Sequence, residues 1–411
     1  MKEITGGVCA PKGFRAGGIC CGIKADSKKK DLALIHSEKP CAAAAVFTKN
    51  LVKSACVLVT QEHVRGGTLR AIIANSGNAN ACTGEAGLEA ARRMAELAAS
   101  GLGIAPGEVA VASTGVIGVP LPIGKIEDGM SELLAGLSGD EAGHAAALDA
   151  IMTTDTRRKE ISVEFEIDGV SVRIGGMAKG AGMIHPNMAT MLCFLTTDAA
   201  IPAETLDRLL RRAVGRSFNR VTVDGDTSTN DMAIIMANGA AGVPLPALSD
   251  DTRGDTLEVF ACALDAVCVS LAKAIARDGE GATKLVTVSV SGAADEETAE
   301  KLAKSVAASS LVKTACFGAD ANWGRILCAM GYAGAEFYPA TTGVRFRSAA
   351  GEIAVCADGN PLPFSEDDAK RILSQDEIEI LITVGDGEGA AAAWGCDLTY
   401  DYVKINGGYR S

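Results

Sequence analysis

The sequence predicts a layered fold of mixed sheets and helices, of the α/β (α+β) class. Short apolar or alternating runs of strand length interleave with longer segments of helical period along the whole chain. With 48% hydrophobic residues in 411, the chain can bury a large core, and its length suggests two or three structural units.

In chain order, the runs Ala43 to Phe47, Ala55 to Thr60 and Leu69 to Ala74 read as strands set among Gly-rich loops. Glu85 to Ala99 carries Ala, Met and Leu at helical spacing and reads as an amphipathic helix. Lys125 to Leu137 and the Ala-rich Glu141 to Thr153 continue that layer. Ile161 to Ile174 alternates like a strand pair about a turn at Asp168-Gly169. Met191 to Leu195 is an apolar run that reads as a buried strand. After it come a helix from Ala203 to Val214, a strand at Arg220 to Val223, a helix near Thr229 to Met236, a long helix from Asp255 to Ala276 and a strand from Lys284 to Ser291. The last third adds helices near Glu296 to Ala307 and Gly324 to Met330. Strands follow at Gly343 to Phe346, Ile353 to Cys356 and Ile378 to Val384, with a final strand before the terminus.

A net charge of −12 argues against a general nucleic-acid binder, which would show a basic face. The first residues lack the basic and apolar regions of a signal peptide. The uncharged stretches 180 to 197 and 232 to 248 contain Gly, Pro, Asn and Thr throughout, which a membrane span would not favour. Thirteen scattered cysteines without a Cys-x-x-Cys read as buried reduced thiols, which favours the cytosol and a cytoplasmic protein. The four histidines show no metal-ligand spacing, so no metal is expected.

Two glycine- and acid-rich segments imitate ligand sites. Gly385-Asp-Gly387-Glu-Gly389-Ala390 has dinucleotide-type spacing, but too little chain remains for the βαβ unit that would confirm it. Asp224, Asp226, Ser228 and Asn230 have the alternating oxygens of a calcium loop, yet Thr229 and Ile235 stand where Gly and Glu are needed. An Asx-type turn is the better reading.

Most of the chemistry lies between Lys179 and Leu192, Lys-Gly-Ala-Gly-Met-Ile-His-Pro-Asn-Met-Ala-Thr-Met-Leu. Gly180, Gly182 and Pro186 build a tight turn that delivers a small residue, Ala189, and a hydroxyl, Thr190, to the head of a core strand. Attack of the Thr190 hydroxyl on the Ala189 carbonyl would convert the amide to an ester, and water would then split the chain. The freed α-amine of Thr190, with a reference pKa of about 7.7 to 8.0, can serve as the base for its own hydroxyl. From local pattern alone, an ordinary half-buried strand threonine is the plainer reading. His185 is a possible general base, but an amine base makes it redundant.

This stretch resembles the self-cleavage segment of the ornithine acetyltransferase family, the bifunctional glutamate N-acetyltransferase and amino-acid acetyltransferase family of arginine biosynthesis. Further segments look like family motifs in family order: Ala10-Pro-Lys-Gly-Phe-Arg15, Asn75-Ser-Gly-Asn-Ala-Asn80, Ser113-Thr-Gly-Val-Ile-Gly118, Thr153-Thr-Asp-Thr156, Asp224-Gly-Asp-Thr-Ser-Thr-Asn230, Gly279-Glu-Gly-Ala-Thr-Lys284, Asp320-Ala-Asn-Trp-Gly-Arg325 and Tyr402-Val-Lys-Ile-Asn406. The resemblance implies a sandwich of sheets and helices, self-cleaved between Ala189 and Thr190. Residues 1–189 would form an alpha chain carrying the oxyanion hole, and residues 190–411 a beta chain beginning at the nucleophile, with a smaller subdomain from about 290. The two chains would associate as an alpha2-beta2 heterotetramer.

By the same resemblance Thr114 and Gly115 hold the oxyanion. On local sequence those two residues read instead as a turn ending a strand. Substrate contacts map onto Thr153, Lys179, Thr190, Glu280, Asn406 and the terminal Ser411, although Thr153 and Thr154 are interchangeable in this reading. Lys179 suits a carboxylate and Glu280 an ammonium. The implied reaction moves acetyl from N-acetylornithine to glutamate, releasing ornithine, with acetyl-CoA as a further possible donor and no other cofactor. The alternatives are an N-terminal-nucleophile amidohydrolase or aminopeptidase, and a noncatalytic amino-acid-binding protein.

Overall fold

The structure, a computed structural model, describes residues 1–24, 28–185, 191–245 and 254–408. It divides into two compact units, which do not follow chain order: the first comprises 1–180, 186–219 and 227–271, the second 181–185, 220–226 and 272–411.

The first unit is built on a sheet that has nine strands among the described residues. They are β1 Lys2–Ile4, β2 Phe14–Ile19, β3 Leu32–Phe47, β4 Thr68–Asn78, β5 Val109–Val116, β6 Lys159–Ile167, β7 Val170–Lys179, β8 Leu192–Thr197 and β9 Met232–Ala237. Their order is β1-β6-β7-β8-β9-β3-β4-β5, with β2 paired to β3. The alternating run after residue 160 forms the β6–β7 hairpin, and both turn residues, Asp168 (φ +50°) and Gly169 (φ +76°), take the left-handed backbone that such a turn needs.

Every residue of β8 is buried: Leu192 to Leu195 are apolar, as the middle of a sheet requires, and Thr196 and Thr197 donate their hydroxyls to the carbonyls of Val8 and Arg173. Leu192 and Phe194 enter the core shared with helices α1 Ala55–His63, α2 Gly84–Leu102, α3 Ile123–Ala135 and α4 Glu141–Ile151. The unit also holds α5 Ala203–Arg216 and the first part of α6 Gly254–Arg277. Arg212 of α5 reaches Glu258 and Asp265 of α6. By length and composition α6 could cross a membrane, but Phe260, Leu264, Val267 and Leu271 are fully or almost fully buried, as in a core helix.

The second unit has a six-stranded sheet among its described residues, ordered β13-β12-β11-β14-β10-β15. Its strands are β10 Leu285–Ala293, β11 Gly343–Ser348, β12 Gly351–Ala357, β13 Asn360–Pro361, β14 Glu377–Thr383 and β15 Gly389–Cys396. Its helices are α7 Glu296–Ala308, α8 Ser310–Phe317, α9 Trp323–Gly331, α10 Glu366–Leu373 and α11 Tyr400–Gly407. Helix α7 packs on β10 and β15, and α10 on β11 and β12.

Five sequence expectations are corrected. Ala55 to Thr60 is helix α1, not a strand: its β-branched residues Val57, Val59 and Thr60 are buried, and Thr60 Oγ1 exchanges two 2.7 Å hydrogen bonds with the backbone of Val111 in β5. Thr229 to Met236 is not helical. Its apolar half is the buried strand β9, since a short run apolar on both sides fits either element until its neighbours are known. Arg220 to Val223 forms no named strand, only a 3-10 turn at Phe218–Arg220 and a single bridge from Val221 to Trp394. The chain beyond β15 ends its described part on α11, not a strand, because Thr399 accepts the Asp401 N–H and starts a helix. The thiols are all free, but Cys20, Cys82, Cys262 and Cys328 are exposed and not buried as expected.

Candidate active site

In the first unit the chemistry gathers where β5 and β7 end. Strand β5 is buried from Val109 through Ser113 and becomes half-exposed at Thr114, Gly115 and Val116. The turn suggested by local sequence is therefore a continuation of the strand, with its parallel pairing to β4 irregular around Gly77 and Asn78. Gly115 has φ +136°, and a Cβ there would lie 2.6 Å from the Asn78 nitrogen, so only glycine lets the two backbones meet.

Side chains of the Asn75 to Asn80 motif hold this end of the strand. Ser113 Oγ donates to Asn75 Oδ1 at 2.7 Å, Asn75 Nδ2 donates to Asn78 O, and Asn78 Nδ2 donates to the carbonyls of Val119 and Pro120. Asn230 adds a tie that sequence reasoning missed, its Nδ2 donating to Ala79 O at 2.6 Å and to Ser113 O at 2.8 Å. Of the supposed calcium loop, Asp224 does form an Asx turn, accepting the Asp226 N–H at 3.2 Å.

Lys179 closes β7, and its Nζ donates to Thr114 Oγ1 at 3.3 Å. An ammonium can only donate, so the threonine oxygen accepts here and its own proton is left to point at another acceptor. The register pairs Lys179 with Leu192, the first residue of β8. The predicted nucleophile Thr190 and its neighbour Ala189 lie outside the described residues, as does Ser411.

Asp155, another residue not singled out from sequence, organises the Thr153 to Thr156 motif. Its carboxylate accepts from Lys159 Nζ at 2.6 Å, from the Gly180 N–H at 2.7 Å and from the Thr153 N–H at 2.9 Å. The Asp155 and Lys159 side chains are 0% and 1% exposed. Burial by itself would raise the Asp155 pKa, but the charges of Lys179 and Lys159 and the hydrogen bonds hold it below the usual carboxylate range. Asp231 has the opposite balance. It is buried, its Oδ2 has no hydrogen-bond partner, and burial pushes its pKa well up against the weaker pull of Ser228 and Lys179.

In the second unit Glu280 and Asn406 come together, Asn406 Nδ2 donating to Glu280 Oε2 at 2.7 Å. The Glu280 carboxylate lies where a Cβ on Gly182 would be, and Glu280 N donates to Ala181 O at 2.8 Å, so a larger residue at 182 would push that carboxylate aside. Asp224 pins the same loop by accepting the N–H groups of Met183 at 2.6 Å and Ile184 at 2.9 Å. His185 Nδ1 lies 3.0 Å from Thr222 Oγ1. Burial, aided by Lys304 and opposed by Asp224, pushes the His185 pKa down to about 4, so the ring is neutral at pH 7. Gly385 to Ala390, the dinucleotide-like segment, runs from the end of β14 into β15, and the element that follows it is that strand, antiparallel to β10, in place of a helix that could receive a phosphate.

The ArgJ family model matches residues 15–411. The arginine biosynthesis bifunctional protein ArgJ of Symbiobacterium thermophilum is 53% identical to this chain over 414 residues, covering all of both proteins. That of Bacillus subtilis is 49% identical over 412 residues, which span all of this chain and 98% of the relative. Among solved structures, a chain of the ornithine acetyltransferase of Mycobacterium tuberculosis in complex with ornithine aligns with 46% of this chain and 99% of its own length, at 45% identity and a TM-score of 0.43. With motifs in order along its whole length and half its residues shared with full-length relatives, the chain belongs to the ArgJ family.

Proposed function

We propose that the chain transfers acetyl from N-acetylornithine to glutamate, releasing ornithine and forming N-acetylglutamate, after cutting itself between Ala189 and Thr190. The observation that carries this reading is the Lys179 to Thr114 hydrogen bond beside the glycine-only backbone of Gly115. A hydroxyl whose lone pair is occupied and an adjacent amide are the donors that a tetrahedral acyl intermediate needs.

In this mechanism the free amine of Thr190 takes the hydroxyl proton while the oxygen attacks the acetyl carbonyl. Thr114 and Gly115 stabilise the oxyanion, the C–N bond breaks and ornithine leaves with the proton. Glutamate then attacks the acetyl ester by its amine through the same oxyanion site, and Thr190 is regenerated. Lys179 and Thr153 are assigned to the amino-acid carboxylate, Glu280 to the side-chain ammonium of ornithine, and Asn406 and Ser411 to the remaining substrate contacts. The buried environment of Glu280, 8% exposed, strengthens an ammonium contact relative to one in water. No metal or bound cofactor takes part, and acetyl-CoA acts as a second donor to the same threonine.

Purified protein assayed separately with N-acetylornithine and with acetyl-CoA, with glutamate as acceptor, tests this. N-Acetylglutamate should form from both. Formation from N-acetylornithine alone would remove acetyl-CoA, and acetate in place of N-acetylglutamate would replace the transferase by a hydrolase.

A further inference from the structure

The loop that follows β2 carries a lysine to the same end of the first unit. Asp31 is completely buried, and its carboxylate accepts the backbone N–H groups of Cys21 at 2.7 Å, Ile23 at 2.7 Å and Lys24 at 3.1 Å. Lys24 is therefore held by its own backbone, and its side-chain direction is set. The stem runs over Gly77, where a Cβ would come within 2.9 Å of Lys24 Cγ, and Gly77 is the register partner of Gly115 on β5. At the far end Nζ donates to Met152 O at 2.8 Å and to Lys30 O at 2.7 Å. Lys24 thus bridges from the strand pair that carries Gly115 to the residue before Thr153.

We propose that Lys24 is a further substrate-binding residue, whose ammonium takes a carboxylate of the acceptor amino acid beside Thr114, Gly115 and Lys179. This rests on the transferase reading. Glutamate brings two carboxylates and an amine that must be neutral to attack, so one lysine at position 179 leaves a carboxylate without a cation. The Lys24 ammonium has three N–H donors, of which two go to the carbonyls just named, and neither carbonyl neutralises its charge. Burial lowers its pKa to about 8, with Lys29 and Lys179 adding to the effect and Asp31 and Asp155 opposing it. Asp31 and Asp155 supply nearby negative charge but give their carboxylates to other donors, so an incoming carboxylate would add a direct charge-assisted hydrogen bond that the ammonium does not have from them.

The test uses the self-cleaved, full-length protein, with the wild type assayed alongside. Lys24→Met keeps the stem over Gly77 and removes the charge. It should raise KM for glutamate by about ten- to a hundred-fold, the range for losing one charge-assisted hydrogen bond, with kcat changed less than about threefold by the same argument that ground-state and transition-state binding are lost together. Lys24→Arg should recover most of the affinity. A second measurement needs no variant: an amine-reactive N-hydroxysuccinimide ester should label Lys24 in the wild-type protein, and saturating glutamate should slow that labelling. An unchanged KM in Lys24→Met, a parallel fall of kcat in both variants, or labelling indifferent to glutamate would overturn the assignment. A wild-type protein that fails to make N-acetylglutamate would instead overturn the transferase reading, so the two failures are distinct.

Discussion

Lys179 Nζ stands 3.3 Å from Thr114 Oγ1, and the direction of that hydrogen bond decides what the threonine can do. Because lysine donates, the threonine proton is available to a developing oxyanion. Thr114→Ala should therefore slow transfer by about 10² to 10³, the cost of one such donor, with a smaller change in substrate KM. Single-turnover acetylation of fully cleaved protein is the measurement. Wild-type turnover in that variant would remove Thr114 from the oxyanion site.

Self-cleavage at Ala189 and Thr190 should leave two chains in active protein, visible by intact mass. Thr190→Ala should stay full-length and inactive, and Thr190→Ser should keep part of both properties because it retains a hydroxyl and, once cleaved, an amine. Active protein that contains only the full-length chain would exclude the mechanism. The buried strand that begins at Leu192 and pairs with Lys179 gives the cleavage point a rigid downstream anchor.

The short polar motifs are legible in the sequence as motifs, while several of the contacts that organise them depend on partners far away in sequence. Thr114 and Gly115 are assigned to the oxyanion by resemblance, and local sequence reads them as a turn; the structure makes them a strand end because Gly77 and Asn78, from another motif, lie against them. Thr153 is singled out in its motif, whereas the buried centre of that motif is Asp155, which accepts from Lys159 four residues on and from Gly180 25 residues away. The same reason explains the exchanged elements. Val57 and Val59 suit a strand by propensity, yet the segment docks as a helix on β5, and β9 reads as a helix until β8 and β3 flank it.

Asp155 and Lys159 make a pair that is almost wholly buried, 2.6 Å apart. Removing one partner from such a pair leaves an uncompensated buried charge, at a cost of about 3 to 5 kcal/mol. Asp155→Asn should lower Tm markedly and, because the Thr153 and Gly180 N–H groups lose an anionic acceptor, should also impair cleavage. The double change Asp155→Asn with Lys159→Met should recover part of the Tm, since the orphaned ammonium is gone. A Tm for Asp155→Asn equal to that of the wild type would show that the pair is not what holds this loop.

Asp231 sets the last prediction, and its sign can be worked out. Burial raises its pKa in the folded protein above the ordinary 3.8, and its Oδ2 meets no donor, so the folded state favours the protonated acid. A carboxyl whose folded pKa is raised contributes stability that is fully present below its unfolded pKa and is lost as pH rises through the folded value. Wild-type protein should thus lose stability relative to Asp231→Asn as pH climbs from about 4 into the neutral range, because asparagine keeps the shape of the neutral acid and has no proton to lose. Denaturant unfolding of both proteins across that range reads the difference directly. Curves that stay parallel would mean that the folded and unfolded pKa of Asp231 are alike, and a wild type that gains stability relative to Asp231→Asn with rising pH would mean an ionised carboxylate with a partner. Catalysis offers a second reading of the same group: if the neutral acid is the working form, Asp231→Asn should retain self-cleavage and transfer, whereas a required carboxylate would abolish both.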